Sequence, residues 1–171
     1  MNYGTIKNLD IANGPGCRVS LFVSGCRNRC EGCFQPETWD FKYGQEFTSE
    51  TLQELLRLLD NPRISGLSIL GGDPFEPENR DGVLDICKAV RDRFGDEKTI
   101  WMWTGYDFIE DKLIDLPIMK YIDVLVDGRF VDDLRDLNLF YRGSSNQRVI
   151  DVQRSLPYRC AIRYKGTQEW K

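Results

Sequence analysis

The chain has 171 residues, 41% of them hydrophobic and 12% aromatic, which suits one compact domain built around a single core. Its formal net charge is −4, with Lys and Arg interleaved among Asp and Glu and no basic block, so no nucleic-acid surface is expected. The opening MNYGTIKNLDIANGPG has no apolar leader region and no apolar run approaches the ~20 residues that span a bilayer, so a cytoplasmic protein without membrane contact is expected.

In chain order, NGPG (13–16) reads as a turn and RVSLFVSG (18–25) as a strand. GCRNRCEGCF (25–34) follows it. TSETLQELLRLLDNP (48–62) predicts a helix with Leu52, Leu55, Leu56 and Leu59 on one face and Pro62 at its end. GLSILGG (66–72) is a short buried strand, and ENRDGVLDICKAVRDRFG (78–95) a second helix closed by Gly95. TIWMWTG (99–105) predicts a third strand, YDFIEDKLIDLP (106–117) a third helix, IDVLVDG (122–128) a fourth strand and RVIDV (148–152) a fifth. Strands alternating with helices argue for an α/β fold of parallel βαβ units with right-handed crossovers. The expected fold is a partial, open β/α barrel of about four to five parallel βα units, too few for closure into eight strands. Residues 1–152 form the expected domain, and 153–171 a tail.

The unusual residues fall where such a fold places its active face, at the carboxyl ends of strands. Cys26 follows the first strand, Gly71-Gly72-Asp73-Pro74 ends the second, Thr104-Gly105-Tyr106 the third and Asp127-Gly128-Arg129 the fourth. Cys26, Cys30 and Cys33 have the i, i+4, i+7 spacing of a helix face, but Gly25, Gly32 and Pro36 and the lack of Leu, Ile or Val favour a loop. In a reducing compartment clustered thiols point to metal or redox chemistry, although six cysteines allow three disulfides on paper. The chain has no histidine, which removes His-containing zinc sites, Ser-His-Asp triads and Cys-His dyads. A closed structural zinc site takes four protein ligands, and this loop supplies three. Three thiolates suit a cubane iron-sulfur cluster with one iron open to amine and carboxylate donors. Cys17 lies about nine mostly extended residues before Cys26, Cys87 falls on the apolar face of a predicted helix, and Cys160 has no evident role. At the end of a buried strand, Gly71 and Gly72 allow close approach of a ligand, and the Asp73 carboxylate suits an ammonium group.

With Cys26-x-x-x-Cys30-x-x-Cys33 after one strand and Gly-Gly-Asp-Pro after the next, the chain resembles the radical S-adenosylmethionine superfamily. NGPG, CFQPETW, WMWTGY, DVLVDGRF and RGSSNQR together resemble the activating proteins of anaerobic (class III) ribonucleoside-triphosphate reductases over about residues 1–152. That resemblance implies a 4Fe-4S cluster on Cys26, Cys30 and Cys33 and S-adenosyl-L-methionine chelated to its open iron. Reductive cleavage then yields a radical that removes hydrogen from a glycine of the partner reductase. It further implies a one-electron donor such as flavodoxin or ferredoxin. Gly72 and Asp73 match the segment that receives the substrate ammonium, and Gly32, Cys33 and Phe34 the loop beside the adenine. Asp127 and Arg129 resemble residues holding the ribose and carboxylate. The aromatic residue often found just before the third cysteine is here displaced, with Gly32 before and Phe34 after. RGSSNQR reads equally as a reductase contact and as a hydrogen-bonded turn. The alternatives are a pyruvate formate-lyase activase-like or deazapurine synthase-like radical enzyme, an electron carrier with a fully ligated cluster, and a zinc-stabilised module.

Overall fold

The apolar runs of the sequence assemble into the middle of one mixed sheet in the computed structural model, which describes residues 1–165. Its strands are β1 (Asn2–Asp10), β2 (Cys17–Val23), β3 (Gln45–Glu46), β4 (Ile64–Gly71), β5 (Thr99–Trp103), β6 (Val124–Asp127) and β7 (Arg148–Asp151). Their spatial order is β3-β1-β2-β4-β5-β6-β7. Strands β2, β4, β5 and β6 are mutually parallel, while β1 pairs antiparallel with β2 and β3, and β7 antiparallel with β6. The strand expected at 148–152 is thus present but is not another parallel unit. No crossover helix precedes it, and an antiparallel return needs none.

Helices α1 (Ser49–Leu59) and α2 (Pro77–Phe94) lie on one face of the sheet, and α3 (Val152–Ser155) is a single turn after β7. A reciprocal Thr48–Thr51 capping box starts α1, and Leu55, Leu56 and Leu59 bury its apolar stripe. Pro77 opens α2, whose buried stripe is Asn79, Val83, Ile86, Cys87 and Val90. These stripes meet Val19, Leu21, Val23, Leu67, Ile69, Ile100, Met102 and Leu125, the alternate residues of the parallel strands. Each fully buried Leu, Ile or Val contributes about 1.5–3 kcal/mol. Among the described residues, no helix is long and apolar enough to cross a membrane.

Two sequence expectations are corrected. Residues 106–117 are not an α-helix: they form turns and a 3-10 segment, Leu113–Asp115, with a second at Pro117–Lys120. The Asp107 carboxylate takes the amides of Ile109 and Glu110, Asp111 takes that of Asp107, and Lys112 adopts φ +56°. These side-chain-to-backbone bonds compete with the helix ladder, and Pro117 bars its continuation. Phe108, Leu113, Ile114, Ile118 and Met119 are still buried, so turns deliver the apolar pattern to the core. The second correction is β1, which the sequence reading missed. NYGTIKNLD is half polar and mostly half-exposed, and pairing with β2 rather than its own apolar pattern makes it a strand. Of the expected 153–171 tail, the described part packs on the same sheet: Tyr164 donates its amide to Val149 and its ring meets Trp101 edge-on at 5.1 Å. Residues 166–171 lie outside the described residues.

Candidate metal and cofactor site

Strand alternation sends the other set of side chains, including Arg18, Phe22, Ser68, Leu70, Trp101 and Trp103, to the face away from the helices. That inner face carries a cavity of about 630 Å³, and Cys26, Cys30 and Cys33 line it together with Gly71, Gly72 and Asp73. The same alternation separates Gly128, which lines the cavity, from Asp127, which does not. The Asp127 carboxylate instead takes the Phe108 amide at 2.8 Å and both Nε and Nη2 of Arg148, and Arg148 also pairs with Asp107. It is buried on the helix side.

Residues 25–34 are a loop without helix, in which the Cys33 amide reaches the Cys30 carbonyl at 3.2 Å. Gly32 has φ +70°, a left-handed conformation that favours glycine, and a Cβ there would push the Asp132 carboxylate aside. It does not line the cavity, whereas Cys33 and the 63% exposed Phe34 do. The Phe34 ring packs against Phe130, with centroids 5.7 Å apart, under the Arg135 guanidinium. Arg129 donates to the Asn28 carbonyl at 2.7 Å, fastening β6 to the cysteine loop.

Three further residues hold this loop. Glu76, fully buried, accepts the Arg27 amide at 2.6 Å and the Arg27 guanidinium at 2.5 Å. Asn79 donates to the carbonyls of Ser24 and Asp73, both at 2.9 Å. Asn28 donates to Asp73 Oδ2 at 3.2 Å. The turn after β4 continues the sheet pairing: the Gly72 amide bonds Val23 and the Asp73 amide bonds Gly25, so closely that a Cβ on Gly72 would meet the Gly25 carbonyl oxygen at 2.5 Å.

Asp73 is 1% exposed, and its carboxylate accepts from Phe75 N, Thr104 Oγ1 and Gly105 N at 2.8 to 3.0 Å. Burial pushes its pKa up to about 6 against the opposing effect of those bonds. The side chain offered to a ligand by the sequence reading is therefore already engaged, as the knot joining the β4 turn, the end of β5 and the cysteine loop. Glu76, Asn79 and Asn28 escaped the sequence reading, and Thr104 was placed at the end of its strand without a role. Only Asn79 left a usable signal, as a polar residue on the otherwise apolar stripe of α2.

Among the described residues, no three Cys, Asp or Glu side chains converge on a point that would hold a single metal ion. A cubane cluster makes a different demand, since each thiolate binds a different iron, and Cys26, Cys30 and Cys33 line one cavity. Burial, then the Asp73 charge, pushes the Cys26 thiol up to about 11, so ligation there must displace a proton. Cys17 begins β2, and seven residues at about 3.3 Å each set it roughly 20 Å from the cavity end of that strand. Cys87 is buried among apolar residues and Cys160 is exposed. Neither lines the cavity.

A family model described as a 4Fe-4S single cluster domain matches residues 12–150. The anaerobic ribonucleoside-triphosphate reductase-activating protein of Enterobacteria phage T4 is 46% identical over 149 residues, covering 87% of this chain and 93% of its own length. Its namesake in Escherichia coli (strain K12) is 43% identical over 151 residues, covering 87% and 97%. That of Haemophilus influenzae is 40% identical over 151 residues with the same coverage.

Proposed function

Since the chain belongs to the family of anaerobic ribonucleoside-triphosphate reductase-activating proteins, we propose that it activates such a reductase by radical chemistry at a cluster on Cys26, Cys30 and Cys33. Bound there and reduced by a carrier such as flavodoxin or ferredoxin, a 4Fe-4S cluster supplies the electron that splits S-adenosylmethionine into methionine and a 5′-deoxyadenosyl radical. That radical takes a hydrogen atom from a glycine Cα of the reductase. The observation that carries this reading is the cavity, which three thiols of one loop and the Gly71-Gly72-Asp73 turn line together.

The chain's own residues divide the work. Three thiolates, with Cys17 out of reach, leave a place for the amino and carboxylate groups of S-adenosylmethionine. Gly72 and Asp73 receive the ammonium end: both border the cavity, and the Asp73 carboxylate ties their turn to Thr104 and Gly105 after β5. Phe34 offers its ring to the adenine, with Gly32 shaping the turn that presents it. Asp127, paired with Arg148, fixes the end of β6 behind the cavity, and Arg129 acts through Asn28, which lines it. The sheet with its inner cavity is read as an open, partial β/α barrel whose missing wall admits the partner.

The test mixes the iron-loaded, reduced chain anaerobically with S-adenosylmethionine and a cognate reductase, then looks by electron paramagnetic resonance for a glycyl doublet. The reductase with its glycine changed to Ala is the control. Cys26→Ala, Cys30→Ala and Cys33→Ala should each lose stable iron and the doublet, while Cys17→Ala, Cys87→Ala and Cys160→Ala keep both. Full iron loading and a doublet from Cys30→Ala would overturn the ligand assignment.

A further inference from the structure

Ten large apolar residues are exposed among those described, and seven of them fall on the segments that border the inner-face cavity. Leu9 and Ile11 stand at the β1–β2 connection, whose Ala12 and Asn13 line the cavity. Phe34 belongs to the cysteine loop. Val131, Leu134, Leu137 and Phe140 belong to residues 128–147, which join β6 to β7. Two antiparallel neighbours need only ~2–5 connecting residues, and a connection this long usually carries function. This one walls the cavity with Phe130, Leu137 and Tyr141. The strand order sets the two groups on opposite flanks, since β1 lies towards one edge of the sheet and β6–β7 at the other. Leu137 is 83% and Ile11 79% exposed, so neither is held by the core.

Exposed apolar side chains gathered on the segments that border a cavity mark a binding surface. The reaction proposed above specifies the occupant. Hydrogen abstraction from a backbone Cα requires a stretch of polypeptide inside the cavity, with water shut out while the radical exists. We infer that the reductase docks on two apolar lips, Leu9 and Ile11 on one flank and Leu134, Leu137 and Phe140 with Phe34 on the other, and threads an extended segment with apolar side chains between them. This rests on the functional reading of the preceding section and adds to it the partner's footprint. The floor between the lips, from Phe22, Leu70 and Trp103, suits such a segment, because a small residue passes the aromatic rings while larger neighbours bury against the lips.

The experiment compares the iron-loaded chain with Leu137→Asp, Ile11→Asp and the off-site control Tyr158→Asp, whose residue is 74% exposed away from the cavity. Affinity for the purified cognate reductase is measured anaerobically by sedimentation, and the doublet is followed against reductase concentration. Each lip variant should weaken affinity roughly tenfold or more and shift the doublet titration by the same factor. Iron content should stay at the level of the unaltered chain, and Tyr158→Asp should bind normally. Lip variants that bind and activate as the unaltered chain does overturn the inference alone. So does a dimer of this chain that Leu137→Asp dissociates without changing reductase affinity, since the lip would then cover a second copy. If the unaltered chain neither binds the reductase nor yields a doublet, the functional reading fails and takes this inference with it.

Discussion

Glu76 is a fully buried carboxylate whose two oxygens are committed to the residue just after the first cysteine. Its ion pair with Arg27 is discounted because that side chain is 55% exposed and solvent screens it. The bond to the Arg27 amide is not screened in this way, and a charge-assisted bond of that kind is worth about 1.5–3 kcal/mol. Glu76→Ala should therefore leave the helices intact by circular dichroism yet lower iron retained per chain under mild chelation. Retention equal to that of the unaltered chain would mean that the cysteine loop holds itself. At this scale the sequence was legible where chemistry depends on residue type, as for Cys26, Cys30 and Cys33, which do share one cavity. It was opaque where role depends on parity or on a distant partner. Asp127 ends β6 turned away from the cavity that the next residue, Gly128, lines, and the Asp73 carboxylate is engaged by Thr104 and Gly105 from another strand end.

At the scale of elements, the alternation of apolar runs located β2, β4, β5 and β6 and both long helices, because each buries a mainly apolar stripe. The failure at 106–117 is instructive because the apolar spacing there suits a helix and the residues are indeed buried. Local competition decides it, through the Asp107 and Asp111 carboxylates and the left-handed Lys112. The sign of one substitution distinguishes the two conformations. In a helix interior Lys→Gly costs up to about 1 kcal/mol. At φ +56° glycine instead relieves a left-handed penalty of about 1–2 kcal/mol, so Lys112→Gly should leave stability unchanged or raise it by up to about 1 kcal/mol. Urea unfolding of the metal-free chain measures it, and a loss near 1 kcal/mol would restore the helix.

Across the whole molecule, one side chain binds the parallel strands at their amino ends. The buried Arg18 guanidinium donates to Ser68 Oγ and the Leu67 carbonyl on β4 and to both oxygens of Thr99 on β5, under the Trp101 ring. Burial lowers its pKa to about 10. Lysine has fewer donors and no planar fork, so Arg18→Lys leaves buried acceptors unmet and should cost about 2–4 kcal/mol in urea unfolding. An unchanged midpoint would show that the strands hold without the clamp. Ser68 in turn donates to the Asn13 carbonyl at 2.5 Å, and Asn13 lines the cavity. The clamp, Asn13 and Trp101 therefore fill the inner face at the amino ends of these strands. Under the proposed function, an inner face closed at that end would impose an order on traffic: S-adenosylmethionine would enter before the reductase seats itself, and methionine and 5′-deoxyadenosine would depart only after it lets go. Each activation would then correspond to one arrival and one departure of the larger protein.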